Sequence, residues 1–227
     1  MRPHQARATK SMKVGAIIVA GGSGERFGRG KPKQFLKLKG KAIIDHAVDG
    51  IAASGLVDFI VAVIPAGFKD YKRNQHIDFI ASGGKTRQES VFNGLLACPA
   101  STEIVIIHDA VRPFIEAAIM RGCLAALKTF QGVVAAVPSV DTLVEVRGSK
   151  IVGVPDRDQI FRNQTPQVFR FKDILRAHKK LRSRSFTDDI ALAIEAGFKC
   201  GIVKGSDANL KITYPADLII AERILRR

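Results

Sequence analysis

The sequence of 227 residues predicts an α/β fold: a Rossmann-like, mostly parallel sheet with helices on both faces and a protruding β-hairpin arm. Three observations predict it. Short apolar, β-branched runs alternate with amphipathic stretches, the pattern of strands buried on both faces and joined by crossover helices. The first of these runs empties into a glycine-rich, cationic turn, Ala20 to Phe35, AGGSGERFGRGKPKQF. One region, about 139–167, departs from the pattern, with modest apolar residues alternating around Gly148-Ser149.

In chain order, the predicted strands are Val14–Ala20, Phe59–Ile64, Ile77–Ile80, Ile104–Ile107, Val133–Val137 and Cys200–Val203. The predicted helices lie near Ala42–Ser54, Gln88–Ala97, Glu116–Phe130, Phe171–His178, Asp188–Ala196 and Pro215–Leu225. In the 139–167 region Thr142, Val144 and Val146 alternate before the Gly-Ser turn, and Ile151, Val152 and Val154 follow it. Such a hairpin is marginal alone and needs something to pack on, a second subunit being one candidate. Residues 1–13 are basic and acid-free, without the apolar segment of a secretory signal, and read as a disordered extension. Residues 14–227 read as one domain with the arm inserted.

Composition excludes several classes. Hydrophobic residues make up 46% and charged residues 25%, ordinary for a soluble globular chain, and no apolar run reaches the roughly 18–20 residues of a membrane span. The net charge of +15 raises the question of nucleic acid. The cations are instead split among the tail, the glycine turn and Arg170–Arg184, and no aromatic residues interleave with them to form a stacking platform. Attraction of small anionic substrates accounts for the turn. Cys98, Cys123 and Cys200 are odd in number and far apart, as structural thiols in a reducing, cytoplasmic setting would be. A plastid-type organelle is the other compartment compatible with the tail.

The glycine turn carries the chemistry. Gly21, Gly22 and Gly24 leave bare backbone N–H groups able to wrap an anion, and Arg26, Arg29, Lys31 and Lys33 add fixed charge. A P-loop is excluded because Gly30-Lys31 is followed by Pro32, and a dinucleotide fingerprint because Phe27 stands where the third glycine belongs. Asp109 ends a buried strand, where a carboxylate facing a phosphate loop suits Mg²⁺; a helix N-cap is the competing reading. Arg112, one turn on, can fork onto a phosphate. His108 reads as a hydrogen-bonded structural residue, because a phosphate oxygen attacking phosphorus needs no base. Gly83-Gly84 opens a second glycine turn that allows close approach to a flat base, with Ser90 a possible contact; a plain turn before a helix fits equally well. Lys211 in isolation reads as a surface lysine.

Taken together, AGGSGERFG with KPKQF, GGKTRQESV, HDAVRPF, DTL, RNQTPQ, TDD and NLKIT resemble the 2-C-methyl-D-erythritol 4-phosphate cytidylyltransferase family over about residues 13–225. The resemblance implies a nucleotidyltransferase-type fold, CTP as substrate and Mg²⁺ or another divalent cation as cofactor. It assigns catalysis to Arg26, Lys33 and Lys211. It assigns the nucleotide to Ala20, Gly21, Gly22, Gly24, Gly84, Arg87, Ser90 and Asp109, with Asp109 also the metal ligand. The methylerythritol phosphate falls to Arg112, Thr165, Thr187 and Thr213, and to Thr142 and Arg157 reaching across a homodimer through an exchanged arm. A ribitol-5-phosphate cytidylyltransferase is the nearest related alternative. The D-x-H motif of the zinc-dependent synthase fused to some members is absent, so the chain as given reads as the transferase alone.

Overall fold

The computed structural model describes residues 12–22, 32–68, 71 and 73–226. Most of the basic extension lies outside the described residues, as does the part of the glycine turn that carries Gly24 and Arg26.

The strands are β1 (Val14–Val19), β2 (Lys37–Leu38), β3 (Lys41–Ala42), β4 (Phe59–Ile64), β5 (Phe79–Ser82), β6 (Ile104–Asp109), β7 (Gly132–Pro138), β8 (Glu145–Arg147), β9 (Lys150–Gly153), β10 (Phe161–Arg170) and β11 (Cys200–Lys204). The helices are α1 (Ile43–Ala53), α2 (Arg87–Ala97), α3 (Ala117–Ala126), α4 (Phe171–Lys180), α5 (Asp189–Glu195) and α6 (Pro215–Ile224). Seven strands form the main sheet in the order β11-β7-β10-β6-β1-β4-β5. Every neighbouring pair is parallel except the two made by β10, which runs antiparallel between β6 and β7.

Both faces of the central strands are buried. Along β1, Ala16 and Ile18 face Ile44 and Val48 of α1 and belong to the same core cluster as Met120 of α3. Ile17 on the other face packs with Val91 and Leu95 of α2, Ile174 of α4 and Leu192 of α5. That two-sided burial is why the central strands read as unbroken apolar runs. A third cluster of Leu38, Ile43, Val111, Ile212 and Ala221 fastens α6 and the chain before it near the end of β6. The β2–β3 hairpin turns on Lys39 and Gly40, both with positive φ, the backbone that a two-residue hairpin turn demands.

The predicted elements are placed with three corrections. The predicted strand Ile77–Ile80 starts two residues late, because Arg73 donates to the carbonyls of Ile77 and Asp78 and sheet pairing begins at Phe79. The predicted helix Glu116–Phe130 ends at Ala126. The stretch 139–167 is not one arm: the two-stranded ribbon is β8–β9, and Phe161 onward is β10, a central strand of the main sheet. Its polar residues conceal it, since Gln164, Thr165 and Gln167 are buried yet hydrogen-bonded. Pro166, which cannot donate to a ladder, falls where the β10–β7 register shifts.

Phe169 is fully buried where β10 lies between β6 and β7, and truncating such a ring costs about 3–5 kcal/mol. Phe169→Ala is expected to lower the free energy of urea unfolding by that amount; a loss under about 1 kcal/mol would mean that the core closes over the gap.

Candidate active site

Parallel pairing sets the carboxyl ends of β1, β4 and β6 on one rim, with Val19 opposite both Val63 and Asp109. Ligands of open α/β sheets bind at that edge. There lies a cleft of about 600 Å³, lined by Ala20, Gly21, Gly22, Lys33, Gln34, Gly84, Lys85, Thr86, Arg87, Ser90, Asp109 and Lys211, with Val19 and Val111.

Two glycine turns meet at its wall. A Cβ on Gly83 would stand 2.9 Å from the Cα of Gly21, so the two backbones touch only because both residues are glycine. Ser90 is buried beneath them, accepting from Gly84 N–H at 3.1 Å and donating to the Thr86 carbonyl at 2.9 Å. Its hydroxyl therefore shapes the turn in the cleft wall. Thr86 caps α2 by accepting from Glu89 N–H at 3.1 Å, which starts the helix at Arg87.

Asp109 is the electrostatic centre. Lys211 Nζ lies 2.7 Å from Oδ2, Arg87 Nε 3.3 Å from Oδ1 and Arg112 Nε 3.9 Å from Oδ2. Burial alone would raise this carboxyl's pKa; Arg87, Lys211 and Arg112 overcome that and hold it well below the usual carboxylate range. Asp109 is thus charged at any physiological pH. Arg87 reaches a second buried carboxylate, its Nη1 standing 2.7 Å from Asp189 Oδ2. Burial opposes the charge on Arg87, and Asp189 and Asp109 together keep it above its ordinary range. Asp189 is also bonded by His178 Nε2 at 3.2 Å.

A polar scaffold lies directly under Asp109. Its backbone N–H donates to Thr165 Oγ1 at 3.1 Å, and the same hydroxyl donates to His108 Nδ1 at 3.0 Å. His108 Nε2, assigned the ring proton by this network, donates to the Arg112 carbonyl at 2.9 Å. Burial pushes His108 down to about 4, so it is neutral, and both ring nitrogens are tied within the fold. Buried Asn209 donates to the Thr165 carbonyl at 2.7 Å and accepts from Arg112 Nη1 at 2.7 Å through its own carbonyl. Ile212 N–H bonds the Val111 carbonyl at 2.9 Å, and that crosslink carries Lys211 to Asp109.

The cleft thus gathers Ala20, Gly21, Gly22, Lys33, Gly84, Arg87, Ser90, Asp109 and Lys211 of the residues expected in the site. Gly24 and Arg26 fall outside the described residues. Arg112 and Thr165 are buried behind Asp109 and line no part of the cleft. Thr213 is half-buried two residues after Lys211, and Thr187, Thr142 and Arg157 are exposed and apart from the cleft. Gln34, Gln164, Asp189 and Asn209 went unread in the sequence; four buried polar side chains carry no spacing signal, although Asp189 lies inside the TDD motif. The thiols are inert: burial raises Cys98 and Cys123 to about 12 and Cys200 to about 11.

Comparison with known proteins decides the family. The sequence profile described as IspD: 2-C-methyl-D-erythritol 4-phosphate cytidylyltransferase matches residues 14–227. The chain belongs to this family. It is 37% identical over 227 residues to the 2-C-methyl-D-erythritol 4-phosphate cytidylyltransferase of Geotalea uraniireducens, covering 95% of this chain and 97% of that one. It is 40% identical to the bifunctional enzyme IspD/IspF of Granulibacter bethesdensis, and spans 56% of that longer relative. The crystal structure of the Thermus thermophilus 2-C-methyl-D-erythritol 4-phosphate cytidylyltransferase superposes with a TM-score of 0.81 at 26% identity, covering 95% of this chain and all of that one. The Francisella tularensis member gives 0.81 at 28% identity, covering 93% and 99%. The fold is that of an α/β nucleotidyltransferase. No helix among the described residues is long and apolar enough to cross a membrane.

The neutral His108 makes stability depend on pH. Its folded value of about 4 lies below the ordinary 6.5, so the unfolded chain takes up a proton that the folded chain refuses. This contribution is fully present above pH 6.5 and is lost as pH falls toward 4, at roughly 1.4 kcal/mol per pH unit from this group. Urea unfolding across that interval is expected to slope accordingly, and a folded His108→Asn variant to show a shallower slope; equal slopes would mean that His108 is protonated in the folded state.

Proposed function

We propose that this chain transfers a cytidylyl group from CTP to 2-C-methyl-D-erythritol 4-phosphate, giving 4-diphosphocytidyl-2-C-methyl-D-erythritol and pyrophosphate. The observation that carries the reading is the cleft itself. It combines a glycine wall able to take a flat base with a floor where Asp109 is ringed by Arg87, Lys211 and Arg112.

The reaction needs little from the protein beyond placement and charge. An acceptor phosphate oxygen is already an anion at neutral pH, and it attacks the α-phosphorus in line while pyrophosphate leaves on the opposite side. No base is required, in keeping with the one buried histidine beside Asp109 being neutral and tied at both nitrogens. Lys33 and Lys211 on the cleft wall counter the charge that builds on the five-coordinate phosphorus. Arg26 shares that task by family resemblance. By family resemblance the turn around Gly84 and Ser90 would recognise the base, the buried Ser90 acting by shaping that turn, and Arg87 would belong to the nucleotide site.

A divalent cation fits this cleft in one way. Among the described residues there is no cluster of three or more His, Cys, Asp or Glu side chains, so those residues offer no complete cage. Asp109 offers a single ionised carboxylate at the cleft floor, the donor set of a magnesium ion held otherwise by substrate phosphates and water. Asp109 would hold it, and when bound it would neutralise part of the triphosphate charge.

The acceptor side is completed by a second subunit. The β8–β9 ribbon and its flanks expose Val140 at 70%, Val154 at 62% and Ile151 at 59%, an apolar surface that a lone ribbon cannot bury. A homodimer in which two such arms exchange would cover that surface and bring Thr142 and Arg157 toward the partner's acceptor site, to which the family resemblance also assigns Arg112, Thr187 and Thr213.

Pyrophosphate release measured with CTP, Mg²⁺ and either methylerythritol phosphate or ribitol 5-phosphate is expected to require the former; turnover with ribitol 5-phosphate alone would overturn the acceptor. Lys33→Ala and Lys211→Ala are expected to lower kcat by about 10²–10³-fold, as loss of one preorganised charge does elsewhere, and near-normal turnover would remove either from the catalytic set. A Val146→Asp, Ile151→Asp double variant is expected to sediment as a monomer with a raised acceptor KM. A dimer of unchanged mass would argue against the exchanged arm.

A further inference from the structure

Gln34 lies in a single 3-10 turn, Lys33–Phe35, between a cation and an aromatic residue, and is only 2% exposed. A buried carboxamide is costly unless its hydrogens find acceptors. Here Nε2 donates to the carbonyl of Ala20 and, at 2.9 Å, to the carbonyl of Gly22. The two carbonyls flank Gly21, which is wedged between Gly83 and Ser90: a Cβ on Gly21 would meet Ser90 Oγ at 2.5 Å and the Gly83 Cα at 3.1 Å.

This arrangement solves a problem that glycine creates. A glycine turn has almost no preference for which side of its peptides faces a ligand, since both signs of φ are open to it. The trans peptide is planar, with C=O and N–H pointing in opposite directions. Drawing the Ala20 carbonyl onto the amide of Gln34 therefore turns the N–H of Gly21 the other way. An amide donor selects the conformation in which the carbonyl lone pairs are occupied and an N–H is left to the cleft. Toward a triphosphate that is the productive polarity, because N–H groups attract its oxygens and carbonyl oxygens repel them.

The amide cannot simply follow the loop. Phe35 stacks on Phe68 at 4.2 Å and 12°, and leans on Tyr71 at 5.1 Å. Tyr71 in turn donates its hydroxyl to Asp45 of α1 at 2.7 Å. The turn is anchored to the body of the protein, and residues 20–22 take their orientation from it.

We propose that Gln34 is a positioning residue that sets the backbone polarity of residues 20–22 toward the nucleotide, a role that rests on CTP being the ligand of this cleft. The proposal distinguishes shape from donor capacity. Gln34→Glu keeps the shape but turns lone pairs on two carbonyls, and Gln34→Met keeps the length without any donor.

The test is CTP affinity by calorimetry together with steady-state kinetics for both substrates. Both variants are expected to raise the Kd and KM for CTP by about tenfold or more, Glu more than Met, while the acceptor KM stays within about twofold. A merely structural role would lower Tm without splitting the two substrates in this way. A folded Gln34→Met protein with unchanged CTP Kd overturns the proposal. Should neither variant fold, Gln34→Asn, whose donor is too short for both carbonyls at once, carries the same test: a several-fold weaker CTP Kd supports the proposal and an unchanged one overturns it. Wild-type protein that neither binds nor turns over CTP would overturn the function beneath the proposal.

Discussion

The structure turns on one buried charge, the carboxylate of Asp109 at the end of β6. A carboxylate so placed is unfavourable unless its charge is answered close by. Arg87 comes from the start of α2, Arg112 from the loop after β6, and Lys211 from the chain leading to α6. Satisfying Asp109 thus ties three separated segments to one edge of the sheet. The same arrangement leaves cations beside a glycine wall, which is what a triphosphate requires. Fold and site share this constraint, so the charge that makes the cleft functional also holds its parts in register.

Beneath the charges lies a neutral layer that keeps them still. Thr165 bridges the Asp109 backbone to His108, His108 bridges to the Arg112 carbonyl, and Asn209 bridges Arg112 to β10. Such a network stabilises only when its members are paired. A site for phosphate transfer gains from that stillness, because donors already aimed at the developing charge need not reorganise during the reaction. Arg87 is steadied separately by Asp189, itself bonded to His178.

Much of this was legible in the residues. The apolar runs announced β1, β4 and β6 because both faces of the sheet are covered, and parallel pairing then placed the glycine turn and Asp109 on one rim. His108 was legible as structural on chemical grounds alone. β10 was not, because a strand containing Asn163, Gln164, Thr165, Pro166 and Gln167 has neither the apolar run nor the alternation that identifies strands. Gln164, Thr165 and Gln167 are buried by virtue of partners on Ser206, His108 and Ile190, and none of those lies near in sequence. Thr165 illustrates the consequence: the family resemblance assigns it to the acceptor site, and only tertiary packing shows its hydroxyl beneath Asp109.

By itself the sequence determined the α/β class, the glycine-rich turn at the end of β1, the absence of the P-loop and dinucleotide fingerprints from that turn, and through its motifs the family. These rest on local facts: periodicity, glycine spacing, and the chemistry a residue type can perform. Only the tertiary structure decided which cations meet Asp109, that Ser90 and Thr165 work through hydrogen bonds inside the fold, and that a buried glutamine holds the glycine turn. The reason is physical. The pairing of buried polar groups depends on which chain segments the sheet brings together, and residues 22 to 102 positions apart along the chain meet at a single carboxylate.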